Sequence, residues 1–260
     1  MKTLLFTLEY PPFHGGVANY YGNLVKYWPE PNDILALHNN DGCLISKKLP
    51  LFKWLPAYFA LRQKIKQEKI RHILVGHILP LGTVALICSE FYKAKYSMIL
   101  HGMDLAYALK RPKKKWLAGK ILRQADKIIC VNGYTAEIAQ QAFPDVKPKL
   151  ITVNPGAEDR ATRNSPLIPR FKEKYNLENK LILLSVGRLV ERKGFDKVIE
   201  AMPEVLKQAP NLVYTVVGDG AEFENLKFKI EHLGLEKHVK IINQATDQER
   251  DNWYKTSDIF

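Results

Sequence analysis

The sequence has 260 residues, 46% of them hydrophobic and 25% charged, with a formal net charge of +12 at pH 7. Such a chain can bury a sizeable core and is long enough for two domains, while its basic balance draws it toward something anionic, whether nucleic acid, an acidic membrane or a phosphorylated substrate. Cys43, Cys88 and Cys130 are widely spaced, with no CxxC and no His spacing suited to zinc, which speaks against a disulfide framework or a metal site and for a reduced, cytosolic setting. Leu4 to Leu8 is too short for the apolar core of a signal peptide and is stopped by Glu9. No stretch reaches the ~18 apolar residues of a membrane span, so the chain is expected to be neither exported by that route nor membrane-spanning.

Lys2 to Leu8 reads as a first buried strand, running into Glu9-Tyr10-Pro11-Pro12-Phe13-His14-Gly15-Gly16 and then a helix carrying Val17, Tyr20, Tyr21, Leu24 and Val25. Gly15 and Gly16 remove side chains where that helix begins, so backbone N–H groups and the positive end of the helix dipole can face a phosphate. The loop is not GxGxxG, and a plain strand-to-helix turn is the alternative. Strand and helix then alternate: Asp33 to Leu37, an amphipathic Trp54 to Glu68, His72 to Gly76, Thr83 to Phe91, Tyr96 to Leu100, Trp116 to Gln124, Lys127 to Val131, Thr135 to Phe143 and Leu150 to Val153. Repeated βα units imply a mostly parallel sheet covered on both faces. Three strand ends carry polar residues: His77, then His101-Gly102-Met103-Asp104, then Asn132-Gly133. Such ends converge on one crevice in a doubly wound fold. Asn132 reads as a helix cap, His77 as a packing residue, and His101 with Asp104 as site candidates.

Asp159 to Pro169 is polar and aperiodic and reads as a linker, placing one domain at residues 1–160 and a second at 161–260. The second half continues with Pro169 to Tyr175, Leu181 to Val186, Phe195 to Gln208, Leu212 to Val217, Ala221 to Leu233, Val239 to Ile242 and Asp247 to Lys255. After the strand ending at Val186 come Gly187-Arg188-Leu189-Val190-Glu191-Arg192-Lys193-Gly194. Gly187 is expected to turn the backbone while Arg188 and Lys193 project two cations beyond the carboxyl end of the strand, a diphosphate site in outline. A solvated basic loop is the alternative. Gly218-Asp219-Gly220 ends the next strand and is expected to line the same edge.

Taken together, Pro11-Pro12-x-x-Gly15-Gly16, His101-Gly102-x-Asp104, Gly187-Arg188-Leu189-x-x-x-Lys193-Gly194 and Val217-Gly218-Asp219-Gly220 resemble the retaining nucleotide-sugar glycosyltransferases of family 4. The resemblance implies the α/β GT-B architecture, two Rossmann-like domains with mostly parallel sheets, here with the second incomplete. It further implies a nucleotide-sugar donor, a hexose-type sugar, and a glycan or lipid-linked acceptor. By carry-over, Arg188 and Lys193 hold the diphosphate, Gly15 and Gly16 offer backbone donors, and Gly187, Gly218 and Gly220 shape the donor site. His101 positions the sugar, and Asp104 orients His101 or touches the acceptor. Fixed cations acting where negative charge develops lower the barrier to breaking a glycosyl phosphate bond. No Asp-x-Asp occurs, in keeping with enzymes of this type that need neither metal nor cofactor.

The family's paired-glutamate motif belongs beyond Asp258-Ile259-Phe260, where the sequence stops; the expectation is a C-terminally truncated chain with weak donor binding and little transfer. A non-catalytic relative and a nucleotide-sugar 2-epimerase are the competing readings, since fold does not fix function. Nucleic acid is not an expected partner, because no recognition helix or RNA-stacking motif accompanies the charge. Leu109 to Trp116 and Leu51 to Phe59 combine cations with aromatics, so peripheral docking on an anionic membrane surface is expected, against the alternative of a solvated face with Trp54, Tyr58 and Leu61 in the core.

Overall fold

A computed structural model describes residues 2–13, 15–46, 52–156 and 167–260. The chain divides into two compact units, Met1–Ala157 and Glu158–Phe260. The linker expected at Asp159 to Pro169 lies mostly outside the described residues, and Pro169 belongs to a helix.

In the first unit, strands β1 (Thr3–Phe6), β2 (Ile34–Leu37), β3 (His72–Val75), β4 (Lys95–Leu100), β5 (Ile128–Cys130) and β6 (Leu150–Thr152) form one sheet. Its order is β2-β1-β3-β4-β5-β6, and every pair is parallel. The helices are α1 (Gly16–Lys26), α2 (Leu55–Glu68), α3 (Leu81–Tyr92), α4 (Met103–Leu109), α5 (Pro112–Gln124) and α6 (Gly133–Ala142). The period-2 alternation of a strand sends Leu4 and Phe6 to one face, packed with Leu61, Leu81 and Ile121, and Leu5 to the other, packed with Tyr21, Leu74 and Ile99. Both faces are therefore buried, which is why the strands read as nearly unbroken apolar runs. The strand order reverses direction at β1 and β3, and the carboxyl ends of these two strands flank the crevice where open α/β sheets bind ligands.

Two helices differ from expectation. Residues 103–109 form α4, a short helix in a stretch that reads from sequence only as a polar strand end. Helix α5 begins at Pro112 rather than at Trp116, because proline is suited to the first turn, where its missing N–H has no partner to lose. Asn132 is the cap the sequence indicates: its side chain accepts from the Thr135 amide at 2.8 Å.

The second unit contains α7 (Leu167–Lys174), β7 (Leu181–Val186), α8 (Phe195–Gln208), β8 (Leu212–Val217), α9 (Phe223–His232), β9 (Val239–Ile242) and α10 (Asp247–Thr256). Its parallel sheet runs β7-β8-β9. Ile259 lies on the free side of β7, bridged in parallel to Leu183, with its carbonyl accepting from the Leu184 amide at 2.8 Å. Strand β7 is thus the point at which this sheet changes direction. One face packs Ile182, Leu184, Val213 and Val217 under Phe171 and Trp253; the other packs Tyr214 and Val216 against Ile199, Met202 and Leu226. A capping box of Thr246 and Glu249 starts α10, reciprocally satisfying two of the amides that a helix start leaves unpaired.

Candidate functional site

In the first unit the glycine loop leaves β1 and enters α1. Gly15 is the cap residue of α1 and supplies no side-chain hydrogen bond, and no acidic residue occupies the first turn. The amides at this helix start are therefore available to an anion. A Cβ at Gly15 would meet Glu9 Oε2 and Phe13 Cε1, each at 3.6 Å, whereas a Cβ at Gly16 would meet nothing within 4 Å. Gly22 has a packing role: a Cβ there would lie 2.6 Å from Pro11 Cγ, so its bare face seats the proline loop on α1. Asn40 holds that loop from the far side, donating to the carbonyls of Tyr10 and Pro11 at 2.8 and 2.9 Å.

The same helix reaches His101. The Tyr21 hydroxyl is 2.7 Å from His101 Nε2 and donates to the Gly76 carbonyl at 2.8 Å. Tyr20 and Tyr21 both meet the His101 ring edge to face, with centroids 5.2 and 5.3 Å away. Burial pushes the His101 imidazole down to about 4, so it is neutral at physiological pH. His77, after β3, accepts from the Leu8 amide at 3.3 Å through Nδ1 and holds Nε2 4.0 Å from Glu9 Oε1. Burial first, and the His101 ring second, push it to about 4 as well.

Asp104 acts on His101 through the backbone. Its Oδ1 accepts from the His101 amide at 3.2 Å, and its Oδ2 is buried without a hydrogen-bond partner among the described residues. Burial raises this carboxyl above its usual range, against the pull of the backbone amides of Leu105, His101, Asp104 and Ile78. Of the two roles expected for Asp104, the contact with His101 is therefore to the main chain and not to the ring. Gly102 adopts φ 90°, in the left-handed region that favours glycine, and a Cβ there would come within 3.0 Å of Thr135 Oγ1.

In the second unit, Arg188 and Lys193 are both exposed on the loop after β7, and neither has an ion-pair partner among the described residues. Glu191–Lys193 forms a 3₁₀ turn that returns the chain, so that Lys193 Cε lies 3.8 Å from where a Gly187 Cβ would be. The tight turn does not fall where the sequence suggests. Gly187 meets only ordinary van der Waals neighbours, whereas Gly194, at φ 69°, makes the left-handed step into α8. Gly218 and Gly220 face protein rather than open space. A Cβ on Gly218 would lie 1.9 Å from the Gly187 carbonyl oxygen, and one on Gly220 would lie 2.3 Å from that of Leu189. Three backbone bonds lock the two loops together: Gly187 N–H to Val217 O at 3.0 Å, Leu189 N–H to Asp219 O at 2.8 Å, and Glu222 N–H to Leu189 O at 3.1 Å. The absence of side chains at Gly218 and Gly220 is thus explained by the packing of the loop that carries Arg188.

Comparison with known proteins matches this layout along both units. Residues 14–162 match Glycosyltransferase Family 4, and residues 168–260 match Glycosyl transferases group 1. The chain belongs to glycosyltransferase family 4. It is a glycosyltransferase that uses a nucleotide-sugar donor. Among its relatives is a GDP-mannose-dependent alpha-(1-6)-phosphatidylinositol monomannoside mannosyltransferase of Mycolicibacterium smegmatis, 24% identical over 99% of this chain and 71% of the relative. An uncharacterized glycosyltransferase of Haemophilus influenzae is 29% identical over 77% of this chain and 52% of its own. Among solved structures, Anabaena HepE in complex with UDP superimposes with a TM-score of 0.75 at 18% identity, covering 99% of this chain and 72% of that one. A glycosyltransferase from Rickettsia africae gives 0.73 at 20% identity, covering 99% and 71%. These likenesses establish the GT-B fold.

Reasoning from sequence missed Tyr21 and Gly76, and set His77 aside as packing. Tyr21 looks like any apolar residue of an amphipathic helix, and its partner at Gly76 is remote in sequence. The signal that could have found the pair is the glycine closing β3: a Cβ at Gly76 would lie 2.6 Å from the Tyr21 hydroxyl oxygen. The two aromatic, basic segments also part company. Trp54 and Tyr58 pack against the core and Leu61 is buried within it, as the core alternative requires, while Trp116 is 69% exposed beside exposed Lys113, Lys114 and Lys115. No helix among the described residues is long and apolar enough to cross a membrane.

Proposed function

We propose that this family 4 enzyme transfers a hexose from a nucleotide-sugar to a glycan or lipid-linked acceptor with retention of anomeric configuration. The reading is carried by Arg188 and Lys193, two cations without carboxylate partners among the described residues, on a loop whose backbone is held by the glycines of its neighbour. Such cations stabilise the diphosphate as it departs. The open amides at Gly15 and Gly16 supply further donors to a phosphate, and His101, backed by Asp104, lies against the sugar.

Retention is what the resemblance to family 4 implies, and the two crevice histidines are poor general bases. Inversion by direct displacement needs a general base with a pKa near the working pH to take the acceptor proton. His77 and His101 are both depressed to about 4, and His77 lies against Glu9 and the Leu8 amide. Product anomericity, read by the one-bond C1–H1 coupling in NMR, tests this directly, and an inverted product refutes it. The named substrates of the mycobacterial relatives make GDP-mannose the first donor to assay, alongside UDP-sugars. Arg188→Ala and Lys193→Ala are each expected to lower transfer by about 2–4 kcal/mol of transition-state stabilisation, roughly 30- to 1,000-fold. Near-normal transfer by both variants refutes the diphosphate assignment.

The exposed basic start of α5 supports docking on an anionic membrane face. Lys110 lies over the Tyr107 ring at 5.0 Å, and Tyr107 and Trp116 are both solvent-exposed. At about 1 kcal/mol per lysine near an anionic surface, changing Lys113, Lys114 and Lys115 to Ser is expected to weaken binding on the order of 100-fold. Co-sedimentation with anionic and neutral vesicles checks this, and equal binding to both removes the cluster from the account.

A further inference from the structure

We propose that Tyr21 is a positioning residue that fixes His101 as its Nε2–H tautomer, so that Nδ1 is presented as a bare acceptor to which a hydroxyl of the sugar donates a hydrogen bond. The inference rests on the reading of His101 as a neighbour of the transferred sugar and extends it to how that sugar is read.

The tautomer follows from counting protons. The Tyr21 hydroxyl has one hydrogen and two neighbours to satisfy, the Gly76 carbonyl oxygen and His101 Nε2. The Gly76 carbonyl, 2.8 Å away, can only accept, so the tyrosine proton lies there. What remains toward His101 is a lone pair, and the 2.7 Å contact is a hydrogen bond only if Nε2 carries the proton. Tyr21 does not lose its own proton, because burial first, and then Asp104, Tyr20 and Glu9, raise its pKa well above the ordinary value. His101, held neutral by burial, has a single ring proton. With that proton at Nε2, Nδ1 is an acceptor, and it has no hydrogen-bond partner among the described residues.

The surroundings make the arrangement rigid. Tyr21 is fully buried between the sheet and α1, and its hydroxyl reaches the Gly76 carbonyl because Gly76 has no side chain to block it. Tyr20 and Tyr21 hold the imidazole edge to face at interplanar angles of 88° and 90°, which resists the ring flip that would exchange the two nitrogens. A fixed acceptor discriminates by chemistry. It favours a donor sugar offering a hydroxyl at that position and disfavours the deoxy or fluoro analogue, because an unpaired buried polar group loses more than a paired one gains.

The test begins with the tautomer, measured without catalysis. Long-range nitrogen–proton correlation on ¹⁵N-histidine-labelled protein near pH 7 is expected to show His101 protonated at Nε2 and bare at Nδ1, its signal assigned by its loss in His101→Asn. In Tyr21→Phe, which keeps the buried ring, His101 is expected to become a mixture of tautomers. Transfer is then expected to fall about tenfold in kcat, with the donor KM within about twofold. Protonation at Nδ1 in the native protein overturns the proposal, and so does an unchanged tautomer in Tyr21→Phe. A shifted tautomer with unchanged kcat overturns instead the placement of His101 beside the sugar. If Tyr21→Phe does not fold, the native spectrum still decides the tautomer, and loss of discrimination between the natural donor and its deoxy analogues in His101→Gln decides the role of Nδ1.

Discussion

Gly218→Ala is expected to dismantle the cation loop from behind. The new Cβ would lie 1.9 Å from the Gly187 carbonyl oxygen, where real contacts do not fall below 3.0 Å, so about 1.1 Å (3.0 minus 1.9) of movement is required. The atom in the way is backbone, and it cannot move alone. Gly187 N–H is bonded to Val217 O, and two residues on, Leu189 is held through its amide by Asp219 and through its carbonyl by Glu222. Losing two of these three bonds removes about 2 kcal/mol, and overpacking adds about 1–3 kcal/mol. The expected loss is therefore about 3–5 kcal/mol, a large part of the stability of a small domain. It should be local to the second unit, because the first has its own core. Hydrogen exchange read peptide by peptide, with urea unfolding alongside, is the assay: residues 181–190 and 212–222 should lose protection while β1 and β4 keep theirs. Nucleotide affinity should fall with it, since Arg188 rides on the displaced segment. Gly194→Ala is the control, with no neighbour within 4 Å of the new Cβ and only the modest penalty of a left-handed φ. Gly218→Ala with native protection and a loss below about 1 kcal/mol would refute the reasoning.

The other predictions concern the first unit. Gly16→Ala meets nothing within 4 Å at the first position of α1, so it should leave the fold intact or stabilise it by roughly 0.5–1 kcal/mol while raising the donor KM; unchanged transfer kinetics would show that no phosphate approaches there. His77 and His101, near 6.5 when unfolded and about 4 when folded, contribute stability that is complete above 6.5 and is lost as pH falls toward 4. Each contribution is about 2 kcal/mol after allowance for partial exposure, and Asp104, raised by burial, opposes it at the low end. Urea midpoints at about pH 7 and 5.5 check the slope, which His77→Gln and His101→Gln should each flatten.

The βα alternation was legible because parallel strands buried on both faces read as apolar runs: Leu181 to Val186, Leu212 to Val217 and Val239 to Ile242 match their strands end to end. The cation pair was legible because Arg188 and Lys193 need only a strand before them and a helix after. Sites made by distant groups were not. Nothing near Tyr21 in sequence points to Gly76, and nothing in Gly218-Asp219-Gly220 says that the bare faces of the glycines lie against the carbonyls of the preceding loop. Trp54 and Trp116 each stand beside lysines near the start of a helix. Only the phase of the helix against the core puts one partly inside and leaves the other in solvent.

Net charge by itself is a poor guide to where an anion binds. On α8 and α9, Lys197 pairs with Asp196 and Glu200 at 3.5 and 3.0 Å, and Lys229 bridges the same two carboxylates. These cations already have local counter-charge, and as exposed pairs they add little to stability. Arg188 and Lys193 have none among the described residues, so their field is open to a ligand. In the first unit, the amides at the start of α1 stand beside a set of side chains that carry no free cation. These are two histidines kept neutral by burial, two tyrosines, and Asp104, whose carboxylate accepts from the His101 amide. Positive charge belongs at the phosphoryl end of the donor, where negative charge develops, while a strong base or free cation beside the sugar would favour attack by water or misdirect the diphosphate.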